Sequence, residues 1–208
     1  MGKNIVKKIV LTGGPCAGKT TALDTVIENF TRTGYKVFTV PEVPTMFTKA
    51  GMDYLTQNRR FFIEGEKATL EIQMALEEKF MRIAATQDKP TLVVCDRGTM
   101  DISAYMTPEQ WSELTQSVGV TTDQLRSNYD LVLHLQTVAN GLEQCYTTAN
   151  NAQRYEEANE EGFAIARMLD DKVRQAWTGH PNHIIINNNI NLGIKLAEVI
   201  TNIENILK

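Results

Sequence analysis

Gly13-Gly14-Pro15-Cys16-Ala17-Gly18-Lys19-Thr20 follows the apolar run Ile9-Val10-Leu11 and precedes a helical pattern. That is the strand-to-helix setting in which G-x-x-x-x-G-K-[ST] cradles a phosphate. The glycines let backbone amides turn inward around a β-phosphate. Lys19 is spaced to bridge the β- and γ-phosphates, and the Thr20 hydroxyl is placed to ligate magnesium. Thr21 extends the signature to Gly-Lys-Thr-Thr, and the helix that follows turns its positive end toward the same anion. The expected ligands are a nucleoside triphosphate, ATP, and Mg2+.

In an open sheet of parallel strands, ligands collect beyond the carboxyl ends of the strands. One such end is Pro41-Glu42-Val43-Pro44, where Glu42 is a candidate base for an acceptor hydroxyl or a substrate ligand, or else a loop residue between prolines. Another is Cys95-Asp96-Arg97-Gly98, where Asp96 would join the magnesium shell and Arg97 would hold phosphate. The bland readings there are a helix cap for Asp96 and a surface charge for Arg97, and Asp101 is open between the two. Arg154, Arg167 and Arg174 lie in a stretch crowded with Glu156, Glu157, Glu160 and Glu161. Arg154 and Arg167 are expected in a lid, about residues 145–170, that closes over the transferring phosphoryl group, and Arg174 is expected to be structural. A solvated helix with ion pairs is the alternative. Asn188, within Asn187–Asn191, is placed to meet the nucleotide base or to form a polar turn. His180 and His183 flank Pro181-Asn182 without further ligands of the right type, so a turn and a strand start are expected there and not zinc.

The elements that must carry these residues alternate. Strand-like runs cover 5–12, 36–40, 91–96, 131–135 and 183–186, with helical patterns between them. They are continuously apolar instead of alternating, as strands covered on both faces are. The expected fold is α/β: a doubly wound, mostly parallel five-stranded sheet with helices on both faces and a helical lid. Helices are expected from Gly18 to about Phe30 and from about Arg60 to Thr86, the latter with Phe61, Leu70, Met74, Phe80, Met81 and Ile83 facing the core. Others are expected from Pro108, from a cap at Thr122-Asp123, over 155–177 and over 192–207.

The 208 residues are 42% hydrophobic and show no linker or shift in composition, so residues 1–208 are read as one domain. A net charge of −4 gives no basic stripe for nucleic acid, and any polyphosphate must be held by local cations. Cys16, Cys95 and Cys145 form neither a disulfide framework nor a metal-ligand pattern, which fits a reducing, cytoplasmic compartment. Within the phosphate loop Cys16 is read as a small loop residue whose thiol the surrounding amides could acidify. The apolar stretch that ends at Leu11 is too short for a signal or membrane segment, and Val6 stands where myristoylation would want Ser or Thr.

Leu11-Thr12-Gly13-Gly14-Pro15-Cys16-Ala17-Gly18-Lys19-Thr20-Thr21, the Pro41-Glu42 strand end, Cys95-Asp96-Arg97-Gly98, Ala166-Arg167-Met168-Leu169-Asp170-Asp171 and Trp177-Thr178-Gly179-His180-Pro181 together resemble a known group. They are similar to the P-loop ATPases related to ribosylnicotinamide kinase domains and to TRPL-translocation-defect-like proteins, often labelled AAA domains. The resemblance spans nearly the whole chain. It implies a nucleoside- or nucleotide-kinase fold with ATP as donor, Asp96 near magnesium, and Arg97 near acceptor or phosphate. The animal relatives add a C-terminal domain of the triphosphate-tunnel type, which this chain is not expected to hold. The arginine pattern of ring-forming AAA proteins is missing from the sequence, and no hexamer is expected. Two functions follow: a small-molecule kinase for a nucleoside-, nucleotide- or vitamin-precursor-type acceptor, or a nucleotide-dependent switch with slow hydrolysis. The sequence lacks the guanine-reading Asn-Lys-x-Asp motif, which disfavours a GTPase version of the second.

Overall fold

The structure is a computed structural model that describes residues 5–54, 56–147 and 158–208. Its frame is a five-stranded sheet of order β2-β3-β1-β4-β5, with β1 Val6–Thr12, β2 Lys36–Val40, β3 Thr91–Asp96, β4 Leu131–Leu135 and β5 His183–Ile186. All pairings are parallel. The helices are α1 Lys19–Arg32, α2 Val43–Lys49, α3 Arg59–Ala84, α4 Pro108–Val118, α5 Thr122–Arg126, α6 Glu160–Ala176 and α7 Leu192–Leu207. A 3-10 helix, Thr99–Tyr105, follows β3 directly, and a shorter one covers Glu143–Cys145.

Alternate strand residues point to opposite faces, so each strand feeds two cores. Ile9, Leu11, Leu92, Val94, Leu131 and Leu133 pack with Ala22, Val26 and Phe30 of α1 and Val199 and Ile203 of α7. Val10, Val93, Cys95 and Val132 pack on the other side with Leu70 of α3, Trp111 and Leu114 of α4, Leu125 of α5 and Val173 of α6. The sheet is thus covered on both faces, which is why its strands are apolar throughout. Register then sets the upper edge: Leu11 lies beside Asp96 and Val40 beside Cys95. The ends of β1, β2 and β3 therefore reach the same level.

Sequence periodicity found part of the inner face of α3: Leu70 is buried, and Met74, Phe80 and Met81 pack against the core as expected. Phe61 and Ile83, expected in the core, are exposed, whereas Glu66, Thr69, Gln73 and Glu77 are buried together with Leu70. Four polar residues on a buried face need partners. Glu77 has them: Lys8 Nζ at 2.9 Å, the Tyr129 hydroxyl at 2.7 Å and Gln73 Nε2 at 2.8 Å. The ammonium of Lys8 also lies 4.6 Å from the centre of the Tyr129 ring. Gln73 Nε2 also donates to the Arg97 carbonyl at 3.4 Å, and the Tyr129 hydroxyl accepts from the Thr99 amide at 2.9 Å. A buried ion pair beneath the sheet thereby supports the turn that leaves β3.

Smaller departures are local. The cap of α5 is Thr121, whose hydroxyl accepts from the Gln124 amide, one residue before the expected start. Helix α6 opens at Glu160 with Asn159 as its cap. Arg154, together with part of the expected lid, lies outside the described residues.

Removing one partner of a buried pair leaves the other charge uncompensated. Glu77→Ala should therefore lower unfolding free energy by about 3–5 kcal/mol, read as a fall in urea midpoint at unchanged slope. The double change Lys8→Met with Glu77→Leu should recover most of that loss.

Candidate functional site

Between β1 and α1 all six carbonyls of residues 13–18 are hydrogen-bonded, those of Gly13 and Gly14 by Lys19 and the rest by groups of other segments or of α1. Gly13 O and Gly14 O each accept from Lys19 Nζ at 3.0 Å. Pro15 O accepts the Thr137 hydroxyl, Cys16 O the Val138 amide at 3.5 Å, Ala17 O the Lys195 ammonium at 3.0 Å, and Gly18 O the Ala22 amide at 3.0 Å. The backbone N–H groups of Gly18, Lys19 and Thr20 make no backbone hydrogen bond among the described residues. Orphan amides gathered at a helix start form a cradle for an anion. Two glycines permit the close packing. A Cβ on Gly13 (φ 136°) would lie 2.0 Å from Leu135 O, and one on Gly14 would lie 2.7 Å from the Cβ of Asp170.

Three residues that brace this loop carry no signal in the phosphate motif. Asp170 of α6 accepts the Gly14 amide at 2.6 Å and lies 3.1 Å from His134 Nε2. Burial alone would raise its pKa, but the hydrogen bonds from His134 and Gly14 outweigh that and keep it a carboxylate. Lys195 of α7 is buried and reaches Ala17 O, Gln136 O at 2.7 Å and Asn188 Oδ1 at 3.0 Å. Burial brings its pKa down to about 8, so at neutral pH it still carries all three donors. Thr137 ties the segment after β4 to Pro15. Lys195 was detectable as a lysine on the apolar stripe of Leu192, Leu196 and Val199, and Asp170 as a carboxylate within the apolar face of α6.

Opposite the loop stands the second group of expected site residues. Arg97, at a left-handed φ of 67°, turns its Nε onto Glu42 Oε1, while its Nη1 lies 3.5 Å from Gly13 O and 4.0 Å from Asp101 Oδ2. Glu42 also accepts from the Thr45 hydroxyl at 2.7 Å. Burial would raise its pKa, but Arg97 and Lys19 pull it down to about 2. A carboxylate so acidic is a weak proton acceptor at neutral pH, so the geometry fits Glu42 as a positioning group and ligand better than as a base. Lys19 is brought down to about 8 by burial and by Arg97, against Glu42, Asp96 and Asp101. Asp101 is buried and bonded to the Thr12 hydroxyl at 2.8 Å and to Trp177 Nε1 at 2.6 Å. It ties the base of the loop to the end of α6, which resolves the open reading of Asp101 toward structure.

Asp96 is half-buried, and its carboxylate makes no hydrogen bond among the described residues. Its pKa is raised by burial and by the charge of Glu42. Thr20 is exposed on the first turn of α1. Among the described residues no group of three or more His, Cys, Asp or Glu is arranged to hold a metal alone.

Two expected contacts take another form. Arg167 donates to Ala139 O at 2.7 Å and lies 3.5 Å from Glu143 Oε1, anchoring the segment after β4 instead of facing Lys19. Both amide hydrogens of Asn188 are engaged, on Thr137 O at 2.6 Å and Asn140 O at 2.9 Å, and its oxygen accepts from Lys195. Asn188 joins two loops here, and the donors that would read a base are occupied. The thiol of Cys16, itself at φ 54°, reaches Thr147 O at 3.0 Å. In the other histidine-bearing turn, both ring nitrogens of His180 are used, by Tyr129 O and by the Asn182 amide.

A family described as an AAA domain matches residues 8–192. A solved structure of a deoxyadenosine kinase from M. mycoides with bound dATP is similar in fold, with a TM-score of 0.54 at 11% identity over 95% of this chain and 99% of that one. A thymidylate kinase from Ehrlichia chaffeensis also gives a TM-score of 0.54, at 16% identity, over 96% of this chain and 99% of that one. No curated protein sequence matches the chain. At such identities the likeness is one of fold, and it is the doubly wound, kinase-like fold expected from the sequence. Among the described residues no helix is long and apolar enough to cross a membrane.

Two measurements test the site's physics. Lys195→Met strips hydrogen bonds from three acceptors at once. It should cost about 2–5 kcal/mol in thermal or urea unfolding, with a parallel loss of nucleotide affinity. Glu66, buried on α3, has its pKa raised by burial from 4.5 to about 7, with Tyr54 and Tyr105 as the titratable groups that interact with it. A carboxyl whose folded pKa is raised contributes stability below its unfolded value and loses it as pH rises through the folded one. Wild type should therefore lose about 3 kcal/mol relative to Glu66→Gln between pH 4.5 and 7, read from urea midpoints across that range.

Proposed function

The chain belongs to the AAA domain family, and from that premise we propose that it is an ATP- and magnesium-dependent small-molecule kinase. One observation carries the reading: a loop whose six carbonyls are all bonded, and whose amides at Gly18, Lys19 and Thr20 make no backbone bond among the described residues, faces the Glu42–Arg97 pair across the ends of β1, β2 and β3. A phosphate cradle alone would serve any nucleotide binder. A paired carboxylate and guanidinium beyond it supply what a phosphoryl acceptor needs.

In this reading residues 13–21 hold the triphosphate of ATP through backbone N–H groups and the Lys19 ammonium. To reach the phosphates, Lys19 exchanges its bonds to the Gly13 and Gly14 carbonyls for phosphate oxygens. Thr20 and Asp96 are the residues that would hold magnesium, which when bound offsets charge on the phosphates. The acceptor hydroxyl oxygen bonds to the γ-phosphorus while the bond to the β,γ-bridging oxygen breaks. ADP leaves with that electron pair, and the hydroxyl proton passes to solvent. Transfer of this kind depends on position and fixed charge more than on a strong base. Glu42, acidic and paired, orients Arg97 and ligates the acceptor. Arg97 stabilises the charge on the moving phosphoryl group.

The same proposal treats residues 1–208 as one kinase domain whose lid spans about 145–170. Arg154 and Arg167 would close over the phosphates, and Arg167 reaches them only by leaving Ala139 and Glu143. The deoxyadenosine kinase and thymidylate kinase of similar fold act on a nucleoside and a nucleotide, which supports acceptors of that general type. A cytoplasmic location fits cysteines that form no disulfide.

The test is ADP release from ATP and magnesium against a panel of nucleosides, nucleotides, sugars and vitamin precursors. Release that depends on one acceptor supports the kinase. Slow release indifferent to every acceptor would transfer the site to a nucleotide-dependent switch. Lys19→Ala should cut turnover by a factor on the order of 10²–10³, because it removes fixed positive charge from the transition state. Full activity in that variant would sink the phosphate-loop assignment.

A further inference from the structure

Four carboxylates gather on the acceptor side of the loop, and three of them have work. Glu42 is bonded to Arg97 and Thr45, Asp101 to Thr12 and Trp177, and Asp96 belongs to the proposed magnesium site. The fourth is Glu66. It is 5% exposed and receives no hydrogen bond among the described residues. Its carboxylate oxygens are not among the fully enclosed unpaired atoms, so they lie where a small ligand can take the place of water.

The position of Glu66 in α3 gives that ligand a place. Glu66 and Gln73 are two turns apart on one helix face. Gln73 reaches the Arg97 carbonyl at 3.4 Å, so the same face carries Glu66 past the Arg97 turn, toward the N-terminal end of α3. Two tyrosines are near it there. Tyr54, in the loop before α3, holds its hydroxyl 2.8 Å from Thr69 Oγ1 and interacts electrostatically with Glu66 and Glu42. Tyr105, at the end of the 3-10 helix, interacts with Glu66, Glu42, Asp101 and Arg97, and the residue is 43% exposed. A buried carboxyl, two phenols and the Glu42–Arg97 pair thus share one electrostatic neighbourhood, and Tyr105 reaches from it to the surface.

We propose that Glu66 is an acceptor-binding residue, which hydrogen-bonds a hydroxyl or amino group of an unphosphorylated acceptor seated beside Tyr54 and Tyr105. The proposal rests on the kinase reading and narrows it. A phosphate on that end of the acceptor would meet Glu66 and Glu42, with the nearest guanidinium already bonded to Glu42, so a phosphorylated acceptor is disfavoured. The carboxyl suits a donor group in either protonation state, because burial holds its pKa near neutrality at about 7 and it can take or offer a proton in a hydrogen bond.

The experiment compares wild type, Glu66→Gln and Glu66→Ala. Initial rates are measured with ATP, magnesium, the common ribo- and deoxyribonucleosides, their 5′-monophosphates and free sugars. Mant-ATP binding and thermal melting are followed in parallel. The expected result is acceptor-dependent ADP release by an unphosphorylated compound. The acceptor KM should rise about tenfold or more in Glu66→Ala and by less in Glu66→Gln, while the ATP KM and mant-ATP affinity hold. If Glu66→Ala does not fold, the acceptor KM of Glu66→Gln, which keeps the side-chain volume, decides. An unchanged acceptor KM, or monophosphates that outrun their nucleosides, overturns the role of Glu66 and leaves the kinase standing. No stimulation by any acceptor, with mant-ATP still bound, overturns the kinase reading and this one with it.

Discussion

Six consecutive backbone carbonyls must be satisfied around one tight loop, and much of the rest of this molecule is arranged to do so. Peptide groups are rigid, so a loop that turns its N–H groups toward a common centre turns its carbonyls outward. Buried carbonyls left unbonded would cost too much to keep. Three of the partners come from far along the chain, Thr137 and Val138 after β4 and Lys195 in α7, while Ala22 of α1 bonds locally. Lys19 closes the circle from within. Asp170 adds a fixed contact to the Gly14 amide from α6. Sheet order and helix placement are therefore tied to the loop by chemistry as well as by connectivity.

A second constraint is electrostatic. Lys19, Arg97, Glu42, Asp96 and Asp101 lie close enough to shift one another, and Arg97 is the pivot. Its left-handed backbone is held from below by Gln73 and, through Thr99, by Tyr129. These in turn rest on the buried Lys8–Glu77 pair. Residues far from any ligand thus set the angle at which a guanidinium enters the site. Buried polar groups are poor sources of stability but good sources of geometry when fully bonded, and here most are.

The sequence was legible where physics is local. Strand limits followed from apolar runs bounded by turns, and the phosphate loop followed from spacing alone, because backbone conformation there is dictated by glycine and by the helix start. Leu70, Met74, Phe80 and Met81 were legible on α3, but Phe61 and Ile83 misled because the inner face also buries Glu66, Thr69, Gln73 and Glu77, which a rule that seeks apolar faces passes over. Lys195 and Asp170 were visible as charges on apolar helix faces but not as braces of the loop, because the Ala17 carbonyl and the Gly14 amide they hold lie more than 150 positions away. No spacing rule reaches that far. Arg167 and Asn188 were legible as polar residues in the right region, but their partners, the carbonyls of residues 137–140, are set by tertiary packing.

The central claim is that a loop whose carbonyls are all bonded keeps the amides of Gly18, Lys19 and Thr20 ready for phosphate. Amide hydrogen exchange resolved by residue, with and without ATP and magnesium, tests it most directly. The account predicts that ATP slows exchange sharply at Gly18, Lys19 and Thr20 while the amides of α4 and α5 keep their rates. Equal exchange at those three amides in the presence of saturating ATP would mean that the loop does not hold a phosphate, and would contradict the account at its root.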